Sequence, residues 1–383
     1  MSSPLSRTEP ERAVRDRYGA AARERESALC CPVDTDPRYR EAIPDEVLER
    51  DYGCGDPTRY VRRGDRVLDL GSGGGKLCFI ASQIVGPEGR VIGVDMTDDM
   101  LALARAAAPR VARAVGHANV EFARGRIQDL ALDLDRLDRW LAANPVKDVA
   151  GAQALEAESA RLRRQQPLVA DESLDLVISN CVLNLVRECD RRQLVREIYR
   201  VLRRGGRIAI SDIVSDESVP QALKDDPELW SGCVSGAFHE MAILDELAAA
   251  GFHGIAIDDW KPEPFAVVEG IEFRSVTVTA HKGKQGPCLE ANEAVIYRGP
   301  WKRVEDDDGH VFVRGERAAV CAKTFRLLMR EPYADQLIPL PPRTPVPEQE
   351  RDEFDCRPRV RDPRETKGLD YRETRKPGEG GCC

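Results

Sequence analysis

The stretch Arg66-Val67-Leu68-Asp69-Leu70-Gly71-Ser72-Gly73-Gly74-Gly75 decides the fold of this chain. Its first half is a short apolar run typical of a buried strand, and its second half is a glycine loop. Glycines are needed where a chain turns tightly and its backbone must come close to a ligand. Lys76 stands where a dinucleotide fingerprint would have a further glycine. The shorter Gly-x-Gly-x-Gly spacing favours a cofactor whose amino-acid part lies against the loop.

Short apolar runs and helical patterns alternate after this stretch. The sequence predicts strands over 66–70, 90–95, 120–123, 174–179 and 207–212, and helices over 76–85, 98–115 and 190–203. Such alternation is typical of a parallel sheet that is covered by helices on both faces. We therefore predict an α/β fold with a doubly wound, mostly parallel, Rossmann-like sheet.

The chain has 383 residues, which is enough for more than one domain. We predict an N-terminal helical segment with thiols at 1–55 and a cofactor-binding core at 56–215, with a helical insertion at 130–170. A substrate cover with the final strands follows at 216–285, and a small α+β domain at 286–345. The tail at 346–383 is rich in Pro, Arg and Glu and has little to bury, so we expect it to be mostly disordered.

The bulk composition excludes several classes of function. A formal net charge of -9 argues against binding to nucleic acid. No run approaches the roughly 18 apolar residues of a transmembrane helix, and the first residues lack the apolar core of a signal peptide. We expect a cytoplasmic monomer that does not bind membranes.

Residues after the second and third predicted strands complete a cofactor site. Asp95 closes the second strand, where an acid can accept hydrogen bonds from ribose hydroxyls. Met96 can lie against an adenine face, and Ile127 and Gln128 can frame the adenine edge. With the glycine loop, these residues predict S-adenosylmethionine as the cofactor, and NAD is the alternative.

Three cysteines are placed where the reactive end of that cofactor should be. Cys181 follows the fourth predicted strand, Cys54 precedes the first, and Cys233 lies in the predicted cover. Ligands of open α/β sheets bind beyond the carboxyl ends of the strands, so these thiols should converge. Three thiolates form a trigonal site for a soft ion, and no short Cys-x-x-Cys pair marks a zinc site. The chain has 12 cysteines, but a disulfide framework is not expected in a reducing compartment.

Five stretches resemble the S-adenosylmethionine-dependent arsenite methyltransferases. They are Tyr52-Gly53-Cys54-Gly55 and the segments 68–73, 93–97, 179–186 and 229–237. The pieces Asn180-Cys181-Val182 and Gly232-Cys233-Val234-Ser235-Gly236-Ala237 are the specific ones. The resemblance spans roughly residues 10–340 and implies a class I methyltransferase fold with arsenite, or its thiol conjugates, as substrate.

The resemblance also implies roles for individual residues. Cys54, Cys181 and Cys233 would hold As(III), and Cys31, beside Cys30, would join them in catalysis. The cofactor-binding residues would be Tyr52, Gly71, Ser72, Gly73, Gly75, Asp95, Met96, Thr97, Ile127, Gln128 and Asn180. Thiols such as those of Cys54 and Cys31 would reduce methylated arsenic by forming a disulfide, which thioredoxin or glutathione would reopen. The terminal pair Cys382-Cys383 would help to capture arsenic.

Two other functions stay open at this point. The chain could methylate a different small molecule and use its cysteines for packing, in which case Cys181→Ser and Cys233→Ser enzymes would keep their activity. It could also be a non-catalytic metalloid-binding protein, in which case arsenite would cause no turnover of the cofactor.

Overall fold

The computed structural model describes residues 9–26, 29 and 35–375. The chain divides into two compact units, Met1–Lys282 and Gly283–Cys383. Each unit has its own sheets and its own apolar core.

The first unit is built on a nine-stranded sheet. Its strands are β1 (Arg66–Leu70), β2 (Arg90–Asp95), β3 (Val120–Arg124), β4 (Leu174–Asn180), β5 (Leu202–Ser215), β6 (Phe238–His239), β7 (His253–Trp260), β8 (Ala266–Val268) and β9 (Ile271–His281). The order is β3-β2-β1-β4-β5-β9-β7, with β6 beside β5 and β8 beside β9. Strands β1 to β5 are mutually parallel, and β9 is antiparallel to β5 and β7. The predicted mostly parallel, Rossmann-like sheet is confirmed.

Helices cover this sheet. They are α1 (Glu9–Ala21), α2 (Pro37–Arg40), α3 (Asp45–Leu48), α4 (Lys76–Val85), α5 (Asp98–Val115), α6 (Leu134–Ala143), α7 (Val149–Gln165), α8 (Glu188–Val201), α9 (Gln221–Lys224), α10 (Pro227–Ser231) and α11 (Glu240–Ala249), with 3₁₀ turns at Pro57–Tyr60 and Leu183–Leu185. The helical insertion expected at 130–170 consists of α6 and α7. Among the described residues, none of the helices combines the length and the apolar character needed to cross a membrane.

Burial explains why the opening stretch becomes the central strand. Val67, Leu68 and Leu70 are fully buried, as are Val177 and Ile178 on the neighbouring strand β4. A strand that is buried on both faces reads as a continuous apolar run. The sheet therefore fixes the glycine loop directly beyond the carboxyl end of β1.

The second unit combines small sheets with short helices. Its elements are β10 (Ala294–Tyr297), β11 (Arg303–Glu305), β12 (Val311–Val313), β13 (Arg317–Ala319), α12 (Ala322–Leu328), β14 (Leu337–Leu340) and α13 (Pro363–Lys367), with 3₁₀ turns at Ala334–Gln336 and Glu348–Glu350. Strand β10 lies between β13 and β14 and is antiparallel to both, while β11 pairs with β12.

The expectation of a mostly disordered tail is wrong for residues 346–375. Arg361 is 0% exposed, and its guanidinium lies 2.7 Å from Glu290 and 3.2 Å from Glu365. Phe354 is also buried. A charge can be buried when it is paired and hydrogen-bonded. A segment rich in charged residues can therefore pack against the rest of the unit, which its composition alone does not indicate. Residues 376–383, with Cys382 and Cys383, lie outside the described residues.

Candidate active site

A cleft lies beyond the carboxyl ends of β1 to β4. Its empty space is about 980 Å³, a figure that includes open solvent. Ten of the predicted cofactor-binding residues line it: Tyr52, Gly71, Ser72, Gly73, Asp95, Met96, Thr97, Ile127, Gln128 and Asn180. Gly75 does not line it. That residue is the N-cap of α4, with φ at 90°, and Gly74 lines the cleft instead.

The glycine loop is tied to the end of β2 by hydrogen bonds. The Gly73 N–H donates to Asp95 Oδ2 at 2.9 Å, and the Thr97 N–H donates to Asp95 Oδ1 at 2.8 Å. Gly71 has φ at 67°, and a Cβ atom there would lie 2.4 Å from Val182 Cγ1. Only glycine satisfies both the left-handed backbone and this close approach.

The polar groups of the cleft fit S-adenosylmethionine. The carboxyls of Asp51, Asp69 and Asp95 line it and can accept hydrogen bonds from an ammonium group and from ribose hydroxyls. The buried Ser72 hydroxyl has no hydrogen-bond partner within the described residues, so it is available to a ligand. Burial raises the pKa of Asp69 to about 7, and a bound cation would favour the ionised form.

The N-terminal segment forms a second wall of this cleft. The Tyr52 hydroxyl accepts a hydrogen bond from the Glu26 N–H at 2.9 Å and donates to the Ala21 carbonyl at 3.2 Å. Its ring meets the Tyr18 ring edge-on, with 6.3 Å between centroids. Sequence reasoning missed Tyr18, because an aromatic residue on a short amphipathic helix reads as core packing.

Lys76, which marks a departure from the dinucleotide pattern, ties the same wall to α4. Its side chain is 3% exposed, and Nζ lies 2.8 Å from Asp51 Oδ2. Sequence reasoning also missed Asp51 and Asp69, although Asp69 lies only two residues before the glycine loop.

The thiols of Cys54 and Cys181 are joined as a disulfide, with Sγ atoms 2.25 Å apart and Cα atoms 6.0 Å apart. The sequence prediction differed on this point, because it expected no disulfide framework and implied a pair of Cys54 with Cys31. The structure brings Cys54 and Cys181 together because β4 carries Cys181 to the edge of the sheet where the loop before β1 returns. Cys30 and Cys31 lie outside the described residues.

The side chain of Asn180 positions the Cys54 loop. Its Oδ1 accepts hydrogen bonds from the Cys54 N–H at 2.9 Å and the Gly55 N–H at 3.1 Å, and its Nδ2 donates to the Gly55 carbonyl at 2.8 Å. A Cβ atom at Gly53 would lie 2.1 Å from this Nδ2, so glycine is required there. Asn180 lines the cleft, but its amide is committed to the thiol loop.

Cys233 is buried next to the disulfide. Its thiol donates a hydrogen bond to the Cys181 carbonyl at 3.0 Å, and the Tyr18 hydroxyl lies 3.9 Å from its Sγ. Cys181 has φ at 56° and Cys233 has φ at 62°. Left-handed backbone is uncommon for residues other than glycine and asparagine, and it concentrates at functional sites.

Asp212 is the acidic member of this site. One of its carboxylate oxygens and the Sγ atoms of Cys54 and Cys181 all lie within 4.8 Å of one another, and no other described residues form a comparable group of possible ligands. The Cys233 sulfur therefore lies outside this group, in contrast to the predicted set of three thiols. Asp212 accepts hydrogen bonds from the backbone of Leu183 and Ile213, and burial raises its pKa to about 6.

The fold and the cleft together define a class I, S-adenosylmethionine-dependent methyltransferase. A methyltransferase domain model matches residues 62–167 and 151–261, and a model described as a domain of unknown function matches residues 284–371. Proteins with similar sequences and one solved structure identify the family within this class.

An arsenite methyltransferase of Mus musculus is 31% identical over 89% of this chain and 85% of its own length. Another, from Aquipseudomonas alcaligenes, is 30% identical over 84% of this chain and 88% of its own. The crystal structure of an arsenic(III) S-adenosylmethionine methyltransferase from Chlamydomonas reinhardtii is similar with a TM-score of 0.54 and 27% identity, over 84% of this chain and 100% of that chain. This chain belongs to the arsenite methyltransferase family.

Proposed function

We propose that this chain transfers methyl groups from S-adenosylmethionine to As(III) held by the thiolates of Cys54, Cys181 and Cys233. The observation that supports the proposal is the convergence of these cysteines at one edge of the cofactor cleft. Cys181 lines that cleft. Cys54 is bonded to Cys181 through a disulfide, and the Cys233 thiol donates a hydrogen bond to the Cys181 carbonyl.

The surroundings of the thiols suit a neutral, thiol-bound metalloid. Cys181 and Cys233 belong to a buried apolar cluster that includes Ile213, Val234 and Phe273. As(III) bound by three thiolates carries no net charge, so its burial among apolar side chains costs little. Its lone pair is the nucleophile, and no proton has to leave it. The reaction therefore needs positioning more than a general base.

The residues of the cleft would hold the cofactor. The glycine loop, Ser72 and Asp95 would bind it, and Asp69 and Asp51 would balance its positive charge. When bound, S-adenosylmethionine supplies an electrophilic methyl group. The placement of Cys181 between the cleft and the apolar cluster would set arsenic at the cofactor's reactive end.

The disulfide belongs to the redox half of the proposed cycle. Methylation formally raises arsenic to the pentavalent state, and two thiols return it to the trivalent state by giving up two electrons and forming a disulfide. Cys54 and Cys181 are such an oxidised pair. A thioredoxin-type protein or glutathione would reopen it by thiol–disulfide exchange, which also fits a reducing, cytoplasmic environment.

Arsenic speciation tests the proposal. The purified chain is incubated with arsenite, S-adenosylmethionine and either reduced thioredoxin or glutathione, and the products are separated and identified. Methylated arsenic should form only when the cofactor is present. After the first turnover, further product should also require a reductant. A folded, cofactor-binding sample that yields no methylated arsenic contradicts the proposal.

A further inference from the structure

A second group of thiols lies within the C-terminal unit. Cys288, Cys321 and Cys356 are far apart in sequence, but the backbone brings their segments together. The Phe354 N–H donates to the Cys288 carbonyl at 2.9 Å, and the Ala322 N–H donates to the Leu289 carbonyl at 2.9 Å. Both segments that carry the outer cysteines are therefore hydrogen-bonded to the segment of Cys288. We call these residues the second thiol cluster.

The side chains of the cluster meet at Cys288. The side chains of Cys321 and Cys356 both lie close enough to the Cys288 thiol to influence its pKa. Cys321 is buried, Cys288 is half-buried, Cys356 is exposed, and none of the three is in a disulfide. The cluster thus runs from the interior of the unit to its surface, which gives an ion a path of entry.

Burial and the neighbouring Cys288 raise the pKa of Cys356 to about 11. Burial also raises the pKa of Cys288, but the neighbouring Cys356 and Cys321 side chains and the charge of Lys323 outweigh it, so this pKa lies below its ordinary value. The buried Cys321 sulfur also accepts a hydrogen bond from the Thr324 N–H at 3.4 Å. Thiolates are the form in which cysteine binds soft ions.

We propose that Cys288, Cys321 and Cys356 form a second binding site for a thiophilic ion that prefers three ligands, namely As(III). The choice of ion rests on the proposed function, because the same chain would then meet arsenite as its substrate. Zinc would need a fourth ligand. The three sulfur atoms do not all lie within 4.8 Å of one another, so the exposed Cys356 side chain must rotate to close the site.

Binding is an exchange without oxidation or reduction. Arsenous acid brings three hydroxyl groups, and each of the three thiols replaces one of them. Three As–O bonds break, three As–S bonds form, and each thiol proton leaves with a hydroxyl group as water. Arsenic stays trivalent, so the step needs no additional reactant.

Arsenic stoichiometry tests the proposal. The parent for the test is the full chain with serine at four positions outside the described residues: Cys30, Cys31, Cys382 and Cys383. The reduced, desalted protein is loaded with arsenite under anaerobic conditions, and arsenic and zinc per chain are measured by mass spectrometry. We expect about two arsenic atoms per chain in the parent and about one after Cys356→Ser or Cys288→Ser. The exposed Cys189, changed to serine, is the matched control and should leave the number unchanged.

The results separate this proposal from the proposed function. Unchanged stoichiometry in Cys356→Ser and Cys288→Ser overturns the second site, as does zinc that copurifies with the cluster and resists displacement by arsenite. Because Cys356 is exposed, a folding defect is not expected in that variant, and circular dichroism verifies this. Failure of the proposed function appears elsewhere, as the absence of methylated arsenic from the unmodified chain. X-ray absorption of the loaded Cys54→Ser/Cys181→Ser/Cys233→Ser chain should show three As–S bonds.

Discussion

The side-chain Oδ1 of Asn180 accepts a hydrogen bond from the backbone N–H of Cys54 at 2.9 Å, and this bond links two thiol-bearing segments. Asn180 ends β4 immediately before Cys181, whereas Cys54 lies in the loop before β1. The amide thus holds one member of the disulfide in register with the strand that carries the other. We infer that Asn180 is a positioning residue for the thiols.

Replacement of Asn180 by alanine tests this role. The change leaves the N–H groups of Cys54 and Gly55 without acceptors, which costs about 1–3 kcal/mol for each buried donor that stays unsatisfied. We expect lower stability and at least about a tenfold slower arsenite methylation, with little change in the affinity for S-adenosylmethionine. Calorimetric titration and initial rates measure the two effects. Asn144→Ala, at the exposed end of α6, is the control, and equal rates in both variants would refute the role.

The glycine loop gives a matched pair of backbone substitutions. Gly71→Ala combines a left-handed backbone with a Cβ atom 2.4 Å from Val182 Cγ1. Gly64→Ala also has a left-handed backbone, with φ at 81°, but the space around it is open. We expect Gly64→Ala to lose about 1 kcal/mol of stability and to bind the cofactor normally. Gly71→Ala should lose most of its cofactor affinity, and similar affinities in the two variants would contradict this reading of the loop.

The stability of the protein should depend on the buried ion pair between Lys76 and Asp51. Lys76→Met leaves Asp51, whose pKa burial already raises, without its cation. We expect a loss of about 3–5 kcal/mol in the free energy of unfolding, measured in urea without cofactor. The double variant Lys76→Met/Asp51→Leu should recover much of this loss. Arg90→Met removes the exposed pair with Glu121 and should change stability by less than about 1 kcal/mol.

Asp69 should make the stability of the ligand-free protein depend on pH, and the direction of its pKa shift gives the sign. Burial raises its pKa from 3.8 to about 7, so between these values the folded state binds more protons than the unfolded state. Stability should therefore fall as the pH rises from about 4 to about 7, by at most about 1.4 kcal/mol per pH unit from this group. Denaturant unfolding at several pH values measures the slope. Asp69→Asn should flatten the curve, and an unaltered slope would count against the raised pKa.

Much of the fold could be predicted from local patterns in the sequence. The buried strand before Gly71, the acid at Asp95 and the return of β4 at Cys181 are set by apolar runs and by the geometry of parallel sheets, which leave signals in the sequence. The disulfide between Cys54 and Cys181 left no such signal, because it depends on the position of the loop that Asn180 holds. Arg361 was missed because Glu290, one of its two ion-pair partners, is 71 residues away in sequence. Asp212 was missed because an acid at the end of an apolar run usually caps the next segment.

Single-turnover methyl transfer by variants that each lack one cysteine tests the proposed As(III) site. Fully reduced enzyme is mixed with stoichiometric arsenite and labelled S-adenosylmethionine, and labelled methylarsenic is quantified. We propose that Cys181 and Cys233 hold As(III) beside the cleft, so Cys181→Ser and Cys233→Ser should each lose at least about a hundredfold in rate, while Cys189→Ser should react like the unmodified chain. Full transfer by Cys181→Ser and Cys233→Ser, in folded protein that binds the cofactor, would contradict the proposed arsenic site and favour a methyltransferase whose cysteines only pack the core.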